Sequence, residues 1–423
     1  MTQKIAIIGS GISGLTCAYL LHKEHDVTVF EANDYIGGHT ATIDVEIDKQ
    51  EYAIDTGFIV FNDWTYPNFM KLLDKLQVEK QPTQMSFSVK NLAENLEYNG
   101  HTLNTLFAQR RNIFSPRFWG LVSDILRFNR ICKEELTRQQ SRQGMTLNDF
   151  LCENGFREIF IDNYIYPMCA AIWSASLESI KSFPLRFFLQ FFNNHGLLNV
   201  TDRPQWYTLI GGSRSYIAPI TSGYRDNIRL NSPVQTITQN DNGYRVLLGN
   251  GKGEEQFDQV IVACHSDQAL AMLAEPSEAQ RQVLGNIDYA PNDVILHTDI
   301  SVLPKRPLAW ASWNYLLTGE PGEKTKPATL TYNMNILQRL DVDHTFCVTL
   351  NANDKIDPQK ILRKFNYAHP QFNNRTISAQ TQREQICGVD GLHFCGAYWY
   401  NGFHEDGVRS ALDVCQRFGI GLS

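Results

Sequence analysis

The sequence lacks the marks of several protein classes. No two of its nine cysteines (Cys17, Cys132, Cys152, Cys169, Cys264, Cys347, Cys387, Cys395 and Cys415) stand in a C-x-x-C pair. Neither a zinc site nor a disulfide framework is indicated, no metal ligand set is expected, and a reducing compartment is the simplest reading. No uninterrupted apolar run approaches membrane-spanning length, and the first apolar run reads as a strand rather than as the core of a signal peptide. A cytoplasmic protein is therefore expected. Positive charge is not in excess: the formal net charge is -7, which gives no reason to expect nucleic acid. With 423 residues the chain has room for two domains with substantial cores.

What is present begins at the amino terminus. Ile5 to Ile8 form a short apolar run, as a strand buried on both faces requires, and Gly9, Gly11 and Gly14 follow in G-x-G-x-x-G spacing. The first glycine permits a tight turn, the second a close backbone approach to a pyrophosphate, and the third close packing of a helix expected over residues 11–22. That helix points its positive end at the phosphates. A second strand, Val27 to Phe30, ends at Glu31, where a carboxylate accepts from a ribose 2′-hydroxyl and disfavours a 2′-phosphate. Strand, loop, helix, strand and acid in this order predict a dinucleotide site.

Gly37-Gly38 again lets backbone lie against a ligand, of the kind flavoproteins use at an FAD pyrophosphate. Thr42 to Ile47 and Glu51 to Ile54 read as a hairpin leading into Asp55-Thr56-Gly57-Phe58. Gly57 marks either close approach to a flavin or a simple turn. From about Tyr66 to Val200 the pattern is helical, without strand-helix alternation. Within it, the segment from Phe107 to Arg130 carries five arginines (Arg110, Arg111, Arg117, Arg127, Arg130) against the single acid Asp124. It is either a basic amphipathic face for an anionic membrane or a helix packed on its own domain with solvated arginines. Phe187, Phe188, Phe191 and Phe192 either line an apolar tunnel or fill a core.

Rossmann-like patterning returns after Pro204: Gly211-Gly212 before a helix, strands over 229–239 and 244–248, and the strand Phe257 to Ala263 ending at Cys264-His265. Residues 291–386 mix strands with the Trp310, Trp313 and Tyr315 cluster and are expected as the roof or floor of a pocket. The chain closes as a strand, a loop and a helix expected from Val408 to Phe418, with free N–H groups at Gly407, Val408 and Arg409 suited to negative charge at the edge of a reduced flavin. The fold class expected is α/β. A discontinuous Rossmann-like FAD-binding domain (1–65, 204–290, 387–423) carries an inserted α+β substrate domain (66–203, 291–386).

Taken together, Gly9-x-Gly11-x-x-Gly14, Glu31, Gly37-Gly38, the strand Val260 to Cys264, and Phe394-Cys395-Gly396 with Gly407 to Ala411 resemble the flavin-containing amine-oxidase superfamily. More narrowly, Gly37-Gly38-His39-Thr40, Asp55-Thr56-Gly57-Phe58, Arg203-Pro204-Gln205-Trp206 and Gly402 to Gly407 resemble a bacterial branch of NAD/FAD-binding oxidoreductases. That branch is similar to the flavin domain fused to some cyclopropane-fatty-acid synthases and to flavoproteins that accompany methylated-fatty-acid synthesis. The resemblance implies FAD, with its pyrophosphate against Gly9, Ser10, Gly11, Ser13 and Gly38, its ribose on Glu31 and its adenine at the Val234 backbone. It further implies Gly396 near the ribityl phosphate and Gly407 with Val408 near the isoalloxazine. Two departures stand out. Many relatives follow the glycine pair with Arg, whereas this chain has His39, and the lysine that amine-oxidising relatives place above the flavin has no counterpart between Asn292 and Thr298.

Cys395 should point away from the ligand, so non-covalent FAD is expected. His404, Glu405 and Tyr398, with Trp399, are the candidate groups near the ring. His404 or Glu405 can take a proton, while helix-dipole pairing for Glu405, N-capping for Asp406 and core packing for Tyr398 are the structural alternatives. Three functions follow as expectations: an FAD-dependent dehydrogenase or oxidase of a long apolar substrate such as a fatty-acyl chain, an amine oxidase, or an FAD-binding partner protein without turnover. A peripheral contact with a membrane surface accompanies the first.

Overall fold

The structure, a computed structural model, describes residues 1–138, 144–249 and 251–422. Its first strand, β1 (Lys4–Ile8), lies in the middle of a five-stranded parallel sheet. From edge to edge the order is Ile228–Arg229, β2 (Asp26–Phe30), β1, Gln259–Val262 and Leu392–Phe394. Alternate side chains of β1 serve two different cores: Ile5 and Ile7 pack among Val27, Val29, Cys17 and Val414, whereas Ala6 and Ile8 pack among Phe30, Val246 and Phe257. A strand buried on both faces needs apolar residues at every position, hence the unbroken run. Helix α1 (Ile12–Leu21) and the C-terminal helix His404–Gln416 cover one face, and the sheet Val234–Asn240, Gly243–Leu248 and Glu254–Phe257 covers the other.

A second, seven-stranded sheet is assembled from two distant chain segments. Its order runs Ile361–Pro370, Tyr289–His297, Cys347–Leu350, Leu330–Asn333, Trp313–Leu317, Phe87–Asn91 and Leu96–Asn99. The parallel pairing of Trp313–Leu317 with Phe87–Asn91 joins them. Strands at 80–83, 87–91 and 96–99 correct the helical reading of the early part of residues 66–200. Polar residues had masked the strand pattern there, and their partners come from far along the chain. Ser88 donates to Asn314 at 2.8 Å, and Lys90 donates to the carbonyls of Ser301 and Leu303, both at 2.7 Å.

Helix α2 (Pro67–Leu76) packs against the C-terminal helix, while α3 (Leu103–Leu106) and α4 (Pro116–Thr137) begin a helical layer that continues to Leu185–Asn194. Phe118, Phe128, Phe150, Phe160, Phe188 and Phe192 form its core. The single strand expected over 229–239 is two strands in two sheets, because Asn231 adopts a left-handed conformation (φ 50°) and Pro233 follows. No helix among the described residues is long and apolar enough to cross a membrane.

Candidate active site

One cavity of about 1140 Å³ runs from the glycine loop to the helical layer. At its nucleotide end lie Gly9, Ser10, Gly11, Ser13, Glu31, Gly37, Gly38, His39 and Val234. The three glycines of the loop have separate spatial reasons. A Cβ on Gly14 would sit 2.0 Å from the Gly9 carbonyl oxygen, so α1 can close on the loop only without a side chain there. Gly9 itself needs φ 108°. A Cβ on Gly11 would meet no protein atom within 4 Å; Gly11 borders the cavity, and the open space beside it is the room a pyrophosphate needs. Gly38 lies against Gly11, its added Cβ 3.3 Å from the Gly11 Cα, so the two glycine stretches share that room.

Glu31 ends β2 with its carboxylate already oriented. One oxygen accepts from the Ser10 N–H at 2.9 Å and hydroxyl at 2.6 Å, the other from the Asn33 N–H at 2.9 Å and amide at 3.0 Å. The residues present fit an adenine dinucleotide: backbone room for phosphate, a helix amino terminus, and an acid at the ribose position.

The middle of the cavity is rich in histidine. His39 lies 5.3 Å from the Tyr367 ring and 5.8 Å from each of His265 and His369, and His265 stacks on Tyr289 at 4.3 Å. Burial, reinforced by the two neighbouring imidazoles, pushes the pKa of His39 down to about 3, and burial pushes His369 down to about 4. All three are therefore neutral at pH 7, with His265 also lowered by burial. Tyr367 and His369 come from the strand Ile361–Pro370 of the seven-stranded sheet, where a spacing of two puts them on one strand face. Neither was legible as a site residue in the sequence.

His404 also lines the cavity, stacked on Phe58 at 3.6 Å with the ring planes 9° apart. Its Nε2 is 3.1 Å from both the Thr40 and Tyr216 hydroxyls. Burial, with His39 nearby, lowers its pKa to about 3. The group is a neutral imidazole whose Nε2 is engaged by two hydroxyls, and Thr40 serves to hold it rather than to face the cavity. Tyr398 lines the cavity beside Gly396, which leaves no room for a Cβ: the Tyr398 ring would be 2.3 Å away. The Tyr398 hydroxyl is buried without a hydrogen-bond partner. Gly57 borders the cavity too, but its lack of a side chain is explained by the His39 carbonyl, 2.1 Å from where a Cβ would stand.

The structure corrects the carboxy-terminal residues. The last helix starts at His404, not Val408, so the Gly407 N–H already donates to the Phe403 carbonyl at 3.1 Å. Gly407 and Val408 do not border the cavity. A Cβ on Gly407 would strike Ile12 at 2.7 Å, which makes it a close-packing point against α1, and Val408 is buried beside Leu15 and Leu72. Glu405 is turned away as well. It accepts from the Phe69 N–H at 2.8 Å and from the Asn68 N–H and side-chain amide at 3.2 and 2.6 Å, capping α2 across the chain. Asp406 sits in the first turn and accepts from the Phe403 N–H at 2.9 Å. Cys395 lies 3.9 Å from Cys17, sulfur to sulfur, in the core between the parallel sheet and its covering helices and away from the cavity.

The far end is mainly apolar, with Tyr164, Met168, Ile172, Trp173, Phe191 and Phe372; His195, stacked on Phe191 at 3.9 Å, and Arg203, beside Tyr164, also line it. The phenylalanine cluster thus divides. Phe191 faces the cavity, Phe188 and Phe192 fill the core, and Phe187 stacks on Phe372 at 5.2 Å. Among the described residues that line the cavity, Glu31 is the single acid, and there is no lysine.

The profile of flavin-containing amine oxidoreductases matches residues 12–326. L-amino-acid oxidase of Mus musculus is 22% identical over 314 residues, 68% of this chain and 43% of that protein. Zeta-carotene desaturase of Capsicum annuum is 36% identical over 78 residues, 18% of this chain and 13% of that protein. The chain thus matches less than half the length of either. The crystal structure of a CLA-producing fatty acid isomerase from P. acnes superposes with a TM-score of 0.69 at 14% identity, covering 98% of both chains.

Proposed function

The chain belongs to the flavin-containing amine oxidoreductase family and its cofactor is FAD, and we propose that it is an oxidoreductase that takes a hydride from a long apolar substrate such as a fatty-acyl chain. The observation that carries this is the continuity of one cavity from Gly11 and Glu31 to Trp173 and Phe191, with no acid or lysine at the apolar end. A volume of about 1140 Å³ exceeds the usual range for one small ligand, roughly 300–1,000 Å³. It holds a cofactor and a substrate together. The substrates in the relatives' names divide between carotenes and amino acids. A cationic amine would meet no carboxylate at the apolar end, and desolvating its charge there would be unfavourable.

The nucleotide end holds FAD non-covalently, against Gly9, Ser10, Gly11, Ser13, Gly37 and Gly38, with Glu31 at the ribose and Val234 near the adenine. Bound FAD supplies the acceptor for the hydride. The chain's own part is to orient and to exclude water. Phe58, Tyr398 and Trp313 wall the middle of the cavity, and Thr40 and Tyr216 hold His404 in one neutral orientation, with its ring on Phe58. Trp173, Phe191 and Ile172 desolvate the acyl chain.

The test is an anaerobic titration of the FAD-loaded protein with fatty acids and phospholipids bearing methylated or unsaturated chains, and with putrescine, benzylamine and amino acids, following bleaching of the oxidised flavin. Acyl species should bleach it, and Ile172→Trp, which fills the far end, should shift the preference to shorter chains. Bleaching by amines alone would refute the reading, as would indifference of chain-length preference to Ile172→Trp.

A further inference from the structure

The basic segment after Phe107 resolves into two parts with different surroundings. In α4 the arginines are paired: Arg117 with Glu94 at 2.9 Å, Arg127 with the buried Asp124 at 3.1 Å, and Arg130 with Glu134 at 3.1 Å. Phe118, Leu121, Phe128 and Cys132 of this helix are buried in the core. The body of α4 is therefore a helix packed on its own domain.

The chain just before it is built differently. Leu103 in α3 is 76% exposed, Phe114 at the end of the short 3₁₀ turn Arg110–Phe114 is 85% exposed, and Ile113 and Trp119 are 42% and 48% exposed. Of these, Trp119 is held in place. The Trp119 indole donates to the Ile113 carbonyl at 2.9 Å, and its ring lies 5.2 Å from that of the buried Phe107. Leu308, 37% exposed, extends the patch from the turn Pro307–Ala309 that packs on α3. Two exposed arginines belong to it. Arg110 donates to the Asn104 and Phe107 carbonyls at 3.2 and 3.1 Å, and Arg111 to the Asn95 carbonyl. Among the described residues neither meets a carboxylate, so both charges are uncompensated in a chain whose net charge is -7.

Phenylalanine and leucine this exposed beside unpaired arginines suit an interface that is apolar within and anionic at its surface, which is the chemistry of an anionic bilayer. Tryptophan with a satisfied N–H suits its headgroup level. The patch also adjoins the cavity. Gly100 and the exposed His101 line it, and only the N-cap Thr102 separates them from α3.

We propose that the edge formed by α3, the Arg110–Phe114 turn and the start of α4 docks on an anionic lipid bilayer. Leu103, Ile113, Phe114 and Trp119 enter the interface, Arg110 and Arg111 meet headgroup phosphates, and the cavity wall at Gly100 and His101 is brought to the membrane. The purpose of the docking rests on the apolar-substrate reading, but the docking itself does not, and the experiment separates them.

The FAD-loaded protein is floated with equimolar phosphatidylcholine and phosphatidylglycerol vesicles, and with phosphatidylcholine alone. Wild type should float with the anionic vesicles and release as salt is raised. Leu103→Asp with Phe114→Asp should lower the bound fraction at least about tenfold, and Arg110→Gln with Arg111→Gln should abolish the preference for phosphatidylglycerol. The substituted side chains are exposed, and flavin absorbance and melting temperature of each variant verify its fold. Failure of wild type to float, or equal flotation of the aspartate variant, overturns the proposal. So does a wild-type dimer in sedimentation velocity that Phe114→Asp makes monomeric, since the patch then serves a second copy of the chain. Flotation without flavin bleaching by any lipid sinks the substrate reading alone; bleaching by detergent-dispersed lipid without flotation sinks the docking alone.

Discussion

Replacing Gly11 and Gly14 one at a time by alanine separates two requirements that the glycine motif combines. At Gly14 the new methyl would stand 2.0 Å from the Gly9 carbonyl oxygen and 3.1 Å from its carbon. Both belong to backbone, which cannot swing aside as a side chain does, so α1 must move by more than about 1 Å against β1. Overpacking of this kind costs on the order of 3 kcal/mol. At Gly11 the backbone is at φ -68° and ψ 176°, which alanine adopts freely, and the methyl meets nothing within 4 Å. Loss of glycine at a helix N-cap and the gain from a stiffer unfolded chain nearly cancel, leaving the cofactor-free protein within about 1 kcal/mol of wild type. The same methyl would occupy the space assigned to pyrophosphate, and FAD affinity should fall at least about tenfold, or about 1.4 kcal/mol. Thermal melts without FAD and quenching of flavin fluorescence on binding measure the two effects. Gly11→Ala binding FAD as wild type does would refute the placement of the phosphates. Gly14→Ala melting as wild type does would refute the packing argument.

Acid should weaken the fold through His404. Its folded pKa of about 3 lies below the unfolded value of about 6.5, so the unfolded state takes up protons first and stability falls as pH drops through 6.5. Between about pH 6.5 and pH 5 the loss approaches 2 kcal/mol, and urea midpoints across that range should show a shallower slope in His404→Gln. Glu405→Ala removes the acceptor for the Asn68 and Phe69 N–H groups and should cost about 1–2 kcal/mol. FAD affinity should stay within about twofold of wild type; a large loss of affinity with unchanged stability would return Glu405 to the cofactor site.

The nucleotide end was legible in the sequence because its requirements are local. A strand buried on both faces needs consecutive apolar residues, a tight turn needs glycine, and a ribose acid follows at a set distance, so Ile5 to Ile8, Gly9, Gly11, Gly14 and Glu31 could be read within one short window. The inward turn of Cys395, away from the cavity, also followed from local alternation. The rest depended on contacts between remote segments. Only folding brings His39, His265 and His369 together from three parts of the chain, and only the packing of α2 against the last helix turns Glu405 into a cap rather than a base. The helix start at His404 was hidden because the glycine at 407 reads as a boundary, whereas its missing side chain serves the approach of Ile12. The same holds for the seven-stranded sheet, joined from distant segments, and for Phe191 facing the cavity while its neighbours Phe188 and Phe192 fill the core. A side chain's neighbours at long sequence separation decide whether it packs, caps or faces a ligand, and no local spacing encodes them.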